Sequence, residues 1–100
     1  MYIIARIQLR YGTTERFGAA LTRLRPLVAR HGWTLLAAYV NTVGQVAEVL
    51  DIWEVPSADS VPTTLAALEA DPEFASIRDE LAQIILHETT TLSTKAPFSP

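Results

Sequence analysis

Five charged or aromatic side chains stand out in the first 53 residues of the chain: Arg6, Trp33, Tyr39, Asp51 and Trp53. Each lies in or beside a segment whose residue pattern predicts a β-strand, so strand alternation decides which of them share a face. Alternation along each strand places all five on the same mixed face of the predicted sheet. A charge buried among aromatic rings is costly unless it is paired. The grouping therefore predicts either an ion pair or a binding site.

The two interpretations differ in what Arg6 and Asp51 do. In the structural interpretation they form an ion pair in the space between two packed sheets, and the aromatic side chains are core; such networks are common outside functional sites. In the functional interpretation Trp33 and Trp53 are walls of a pocket for an organic ligand, which Arg6, Asp51 and Tyr39 orient.

Acid–base chemistry in this chain would fall to Asp51, Tyr39 and His31. Such catalysis needs a titratable group within hydrogen-bond reach of the substrate. His31 also has a structural explanation, because a cation at the predicted end of the first helix is favoured by the helix dipole. His87 and Glu88 are neighbours in a predicted strand and point to opposite faces, so they do not pair.

Composition excludes several classes of protein. The chain of 100 residues has 49% hydrophobic and 19% charged residues, which is typical of one globular domain. It has no cysteine, only two histidines and no HExxH spacing, so we expect no metal and no cofactor. A net charge of −3 without a basic run argues against nucleic acid, and no apolar run approaches the ~20 residues of a membrane span. We expect a cytoplasmic protein.

The residue pattern predicts β-strands in four segments. Tyr2–Leu9 alternates between an apolar and a mixed face. Trp33–Asn41 and Ala47–Val55 flank a short turn that contains Gly44, as in a β-hairpin. Ile85–Ser93 is rich in threonine and predicts a last strand.

Helical spacing fills the two intervals between these strands. One apolar stripe recurs every three or four residues at Phe17, Leu21, Leu24 and Val28, and another at Phe74, Ile77, Leu81 and Ile84. Pro26 lies inside the first stripe and predicts a kink or a break there. Asp71-Pro72 separates the second stripe from a shorter helix around Leu65 and Leu68.

The order of elements is that of a βαββαβ ferredoxin-like α+β fold. Right-handed crossovers give a four-stranded antiparallel sheet in the order 4-1-3-2, with the helices on one face. We expect residues 1–94 to form a single domain and 95–100 a C-terminal tail.

Several short segments, in their order and spacing, resemble the NIPSNAP family. They are His31-Gly32-Trp33, the hairpin with Val43-Gly44, the run Glu48–Glu54, Ala70-Asp71-Pro72-Glu73 and the closing Ala96–Pro100. The resemblance covers nearly the whole chain. It implies a dimeric α+β barrel, in which two ferredoxin-like sheets pack face to face with the helices outside. More distant proteins of that barrel superfamily include cofactor-free monooxygenases, cyclases, lactone isomerases, haem-degrading enzymes and stress-response proteins, so fold alone does not set the activity.

Two functions remain open from sequence. One is a small homodimer that binds a small apolar or aromatic organic ligand. The other is a cofactor-independent enzyme, of cyclase, isomerase or monooxygenase type, acting on an aromatic or polyketide-like substrate. Dimerisation is expected because the sheet face without helices would expose Ile4, Tyr39, Val49 and Trp53. Phe98 in the tail is expected to reach the partner.

Overall fold

The computed structural model describes all 100 residues, Met1–Pro100. Its strands are β1 (Tyr2–Leu9), β2 (Thr34–Val40), β3 (Glu48–Glu54) and β4 (Ile85–Ser93), and its helices are α1 (Thr14–Ala29), α2 (Ser60–Glu69) and α3 (Pro72–Ile84). None of the helices combines the length and the apolar character that a membrane span requires.

The four strands form one antiparallel sheet in the order β2-β3-β1-β4. This is the order predicted from the sequence, and the βαββαβ ferredoxin-like α+β fold is confirmed. β1 is central, with β3 on one side and β4 on the other. Residues opposite each other across these strands share a face, so the register determines which side chains meet.

One face of the sheet carries the core. Ile3, Ala5, Ile7 and Leu9 of β1 are at most 6% exposed and belong to a cluster that reaches all three helices. The cluster comprises Ile3, Ala5, Ile7, Leu9, Phe17, Leu21, Leu27, Val28, Trp33, Val49, Trp53, Val55, Leu68, Ile77 and Ile84. The helices therefore cover this face, which we call the helix face; the opposite side is the open face.

The predicted break at Pro26 is wrong, because α1 continues from Thr14 to Ala29 as one helix with Pro26 inside it. Proline has no N–H to donate to the carbonyl one turn earlier. Leu21, Leu27 and Val28 on either side of it are buried in the core. Burial of these apolar side chains outweighs the missing hydrogen bond.

The predicted division of the second helical region at Asp71-Pro72 is confirmed. α2 ends at Glu69 and α3 begins at Pro72. Asp71 is the N-cap of α3, and its carboxylate accepts a hydrogen bond of 2.9 Å from the backbone N–H of Glu73. Pro72 occupies the first turn, where a missing N–H costs nothing.

Replacing Asp71 with Ala should lower the free energy of unfolding by about 1 kcal/mol, because an N–H of the first turn of α3 loses its acceptor. Asp71→Asn is the matched variant: it keeps an acceptor oxygen and removes only the weak ion pair with Arg30, 3.5 Å away. Urea unfolding of both variants measures the difference. Equal stability of the two variants would show that the cap does not support the start of α3.

Candidate functional site

A cavity of about 360 Å³ lies between the helix face of the sheet and the three helices. Of the 18 residues that line it, 15 are hydrophobic. They include four aromatic side chains, Phe17, Trp33, Trp53 and Phe74. The volume lies in the range of small-molecule sites in proteins.

The polar lining consists of three residues, Asp51, Glu88 and Thr90, and all three come from the sheet. In the register, Ala5 of β1 pairs with Asp51 on one side and with Thr90 on the other. Glu88 lies opposite Ile7, one step along the same face. Since Ala5 has only a methyl group, the sheet leaves open space between Asp51 and Thr90.

Asp51 is the buried polar group of this site. It is 1% exposed, and its Oδ1 is buried without a hydrogen-bond partner. Burial, and secondarily the charge of Glu88, raises the pKa of Asp51 from 3.8 to about 6. The carboxyl group therefore changes its protonation close to neutral pH, and a hydrogen-bonding ligand would satisfy it.

Trp33 is positioned by the end of α1. Its backbone N–H donates to the carbonyl of Val28 at 3.2 Å, after a turn in which Gly32 has φ of +80°. A Cβ at Gly32 would lie 2.9 Å from Cγ of Pro56, so glycine also allows the close approach of that loop. The indole of Trp33 meets that of Trp53 edge to face, with ring centroids 6.4 Å apart. Its Nε1 is buried without a partner, the second unsatisfied polar atom among the lining residues.

The expected pairing of Arg6 with Asp51 is wrong. Arg6 lies opposite Leu50, whereas Asp51 lies opposite Ala5, so the two charged side chains are on different faces of the sheet. Arg6 instead binds Glu48 on the open face, with 2.8 Å between Nη1 and Oε1. A shift of one residue in strand register exchanges the two faces, and alternation within each strand does not fix that register.

Tyr39 and His31 do not line the cavity. A β-bulge between Leu35 and Ala37 shifts the alternation of β2. Trp33, before the bulge, therefore lies on the helix face. Tyr39, after the bulge, lies opposite Leu50 on the open face and is 60% exposed. Asp51, Tyr39 and His31, the three residues expected from the sequence to carry acid–base chemistry, therefore do not converge on one site. Of the expected ligand-binding residues, Trp33, Asp51 and Trp53 surround the cavity, whereas Arg6 and Tyr39 lie elsewhere.

The assignment of Val49 and Trp53 to the open face is also wrong. They lie opposite Ile7 and Ile3 and are 5% and 6% exposed, under the helices. Glu88 and Thr90 line the cavity but were not among the site residues predicted from the sequence. Their spacing of two in β4 already placed them on one face, but only the pairing of β4 with β1 shows that this is the helix face.

Together, the fold and the cavity define a ferredoxin-like α+β protein with an apolar ligand-sized cavity between its helices and its sheet. The family model of NIPSNAP matches residues 2–100. The chain therefore belongs to the NIPSNAP family, as its sequence segments had indicated. No curated protein matches the chain.

Solved structures support the same fold. A NIPSNAP family protein of unknown function from Agrobacterium tumefaciens is 23% identical, with a TM-score of 0.85 over 99% of this chain and 90% of its own. An uncharacterised NIPSNAP domain protein from Burkholderia xenovorans is 16% identical, with a TM-score of 0.81 over 100% and 99%. A candidate antibiotic biosynthesis monooxygenase from Nitrosomonas europaea is 11% identical, with a TM-score of 0.69 over 95% and 98%.

The raised pKa of Asp51 predicts an unusual dependence of stability on pH. Between about pH 4 and pH 6 the folded protein retains a proton on Asp51 that the unfolded chain releases, so this group lowers the free energy of unfolding as pH rises. Asp51→Asn removes that loss. The variant should equal the native protein in stability near pH 4 and exceed it by up to about 3 kcal/mol at pH 8.

Urea unfolding at a fixed protein concentration, at pH 4, 6 and 8, measures this difference. Asp79→Asn is the control, because Asp79 is an exposed carboxylate on α3, away from the cavity. A stability difference between Asp51→Asn and the native protein that stays constant from pH 4 to pH 8 would contradict a raised pKa.

Proposed function

We propose that this protein binds a small organic molecule with an apolar or aromatic body in the cavity between its helices and its sheet. The observation that carries the proposal is the unpartnered carboxyl oxygen of Asp51 in an otherwise apolar cavity. An unsatisfied buried polar atom costs about 1–3 kcal/mol. A ligand that brings one polar group to Asp51 and apolar surface to the walls removes that cost and fills the space.

The walls favour a flat or aromatic body. Trp33 and Trp53 form one end of the lining, and Phe17 and Phe74 come from α1 and α3. Aromatic rings contribute large apolar contact areas and prefer offset or edge-to-face contact with other rings. The Nε1 of Trp33 offers a donor to an acceptor atom of the ligand.

We also propose that the protein is a homodimer that packs through its open face. Tyr2, Ile4, Leu50 and Ile52 are only partly buried at the centre of that face, and Tyr39 is 60% exposed beside them. An apolar patch of this kind in the middle of a sheet favours a partner, and a two-fold axis pairs the patch with itself. Phe98, 90% exposed in the tail, is available for the same interface.

Ligand binding is measurable through fluorescence, because the protein's only two tryptophans, Trp33 and Trp53, both line the cavity. Titration with 4-phenylbutanol, excited at a wavelength that only tryptophan absorbs, should give saturable quenching or a spectral shift. Ala5→Leu fills the space between Asp51 and Thr90 and should weaken binding at least about tenfold, by steric exclusion.

Ala82→Leu is the matched control. Ala82 is an exposed residue of α3, and it does not line the cavity. Leu24→Phe, a second enlarging substitution in the lining that adds no tryptophan, provides the same test if Ala5→Leu does not fold. Unchanged binding in a folded cavity-filling variant would place the ligand elsewhere.

Sedimentation velocity at micromolar concentration should give twice the monomer mass of 11.0 kDa. Ile52→Asp places a charge at the centre of the open face and should shift the protein to the monomer, because an unpaired charge in a packed interface is costly. Val43→Asp, in the hairpin turn at 93% exposure, is the control and should remain a dimer. A native protein that sediments as a monomer refutes this part of the proposal.

A second candidate function is a cofactor-independent enzyme of cyclase, isomerase or monooxygenase type on an aromatic or polyketide-like substrate. It is favoured by one observation, a carboxyl group inside a ligand-sized cavity with a pKa raised to about 6, which suits general acid–base catalysis near neutral pH. The likeness in fold to the candidate monooxygenase from Nitrosomonas europaea agrees with it.

The two functions differ in proton transfer. An enzyme that uses Asp51 as a base should exchange the α-protons of bound 4-phenylbutan-2-one with D₂O, whereas a protein that only binds should not.

A further inference from the structure

The charged residues that line the cavity are all acidic. Asp51 and Glu88 are both carboxylates, and no arginine, lysine or histidine is among the lining residues. Nearby arginines are engaged outside the cavity, as Arg6 is with Glu48 and Arg16 with Glu80. A cavity with low-dielectric walls and negative charges attracts cations and repels anions.

The two carboxylates stand on the same face, on strands either side of β1. Strands in a sheet are about 4.8 Å apart and rise about 3.4 Å per residue. Asp51 lies opposite Ala5 and Glu88 opposite Ile7. Their backbones are therefore separated by about 10 Å across the sheet and about 7 Å along it, or about 12 Å in all. Ala5 and Ile7 lie between them, and only the Ala5 position is small. Thr90 donates a hydrogen bond of 3.0 Å to Oε2 of Glu88, which orients the outer carboxylate.

The inner carboxylate has no protein partner. Asp51 is 1% exposed, and its Oδ1 receives no hydrogen bond. Glu88, in contrast, is exposed and lies towards the open edge of the sheet at β4. A positively charged group entering past Glu88 and reaching Asp51 would meet one carboxylate at the mouth and one at the end of its path.

We infer that the ligand of this cavity is a hydrophobic organic amine, whose ammonium group lies between Asp51 and Glu88 and whose apolar body packs against Trp33 and Trp53. This inference rests on the proposed function and specifies the ligand class. An ammonium donates charge-assisted hydrogen bonds, which are stronger than those from a hydroxyl.

The inference includes a dependence on pH. Among the groups around Asp51, β4 contributes Glu88, whereas the paired residues of β1 and β2 are Ala5 and Ala38 and the helices contribute no titratable side chain to the lining. The ionised form of Asp51 pairs with the ammonium. Affinity should therefore rise as pH rises through the pKa of Asp51, near 6, while an alkyl amine keeps its proton.

Three probes of matched shape test the inference by tryptophan fluorescence: 4-phenylbutylamine, 4-phenylbutanol and 4-phenylbutanoate. At pH 7.5 the amine should bind about tenfold more tightly than the alcohol, as expected for replacement of a neutral by a charge-assisted hydrogen bond, and the carboxylate should bind most weakly. At pH 5 the preference for the amine should shrink.

Two variants locate the effect. Asp51→Asn should remove the preference for the amine and leave binding of the alcohol within a fewfold of native. Glu88→Gln, at an exposed position, should reduce it partly. Glu54→Gln is the matched control, because Glu54 is an exposed glutamate of the same sheet that does not line the cavity.

The outcomes separate this inference from the proposed function. Binding of the alcohol as tight as that of the amine overturns the inference and leaves the proposed function standing. No binding of any of the three probes overturns both. An equal loss of amine affinity in Glu54→Gln and Glu88→Gln would mean attraction by the overall negative charge, and it too overturns the inference.

Discussion

The burial of one carboxyl group without a protein partner is the constraint on which the rest of this site depends. Asp51 lies in β3 on the helix face of the sheet and is 1% exposed. Ionising it there is costly, so its pKa is raised to about 6 and the folded protein loses stability as pH rises from about 4 to about 6. A purely structural core would gain stability from an apolar residue at this position. The arrangement is understandable if stability is exchanged for an interaction with a ligand.

The architecture makes this interaction possible through small features of the sheet. Because Ala5 has a small side chain, it leaves open space between Asp51 and Thr90. Trp33 and Trp53 line the same cavity. Helices cover only one face, so the proposed ligand site and the proposed dimer interface lie on opposite sides of the same sheet. If both proposals hold, substitutions on the open face should affect assembly more than ligand binding.

Much of the fold followed from periodicity. Alternation identified β1 to the residue, threonine-rich composition identified β4, and Asp71-Pro72 marked the boundary between α2 and α3, because such local patterns directly reflect backbone preferences. The site was predicted less well. Which side chains of two neighbouring strands share a face depends on the register of the strands. A shift of one residue in that register places Arg6 and Asp51 on different faces. The bulge in β2 and the unbroken α1 at Pro26 likewise depend on tertiary packing that local sequence does not record.

The most direct test of this account is the titration of Asp51 itself. Carboxyl ¹³C NMR of protein labelled at aspartate, with the resonance assigned through Asp51→Asn, reports the pKa of this one group. The account predicts a midpoint near pH 6 in the free protein, falling when 4-phenylbutylamine is bound. A midpoint near pH 4 in the free protein would mean that Asp51 is already hydrated or paired. That result would contradict the claim that this carboxyl group has no partner until a ligand binds.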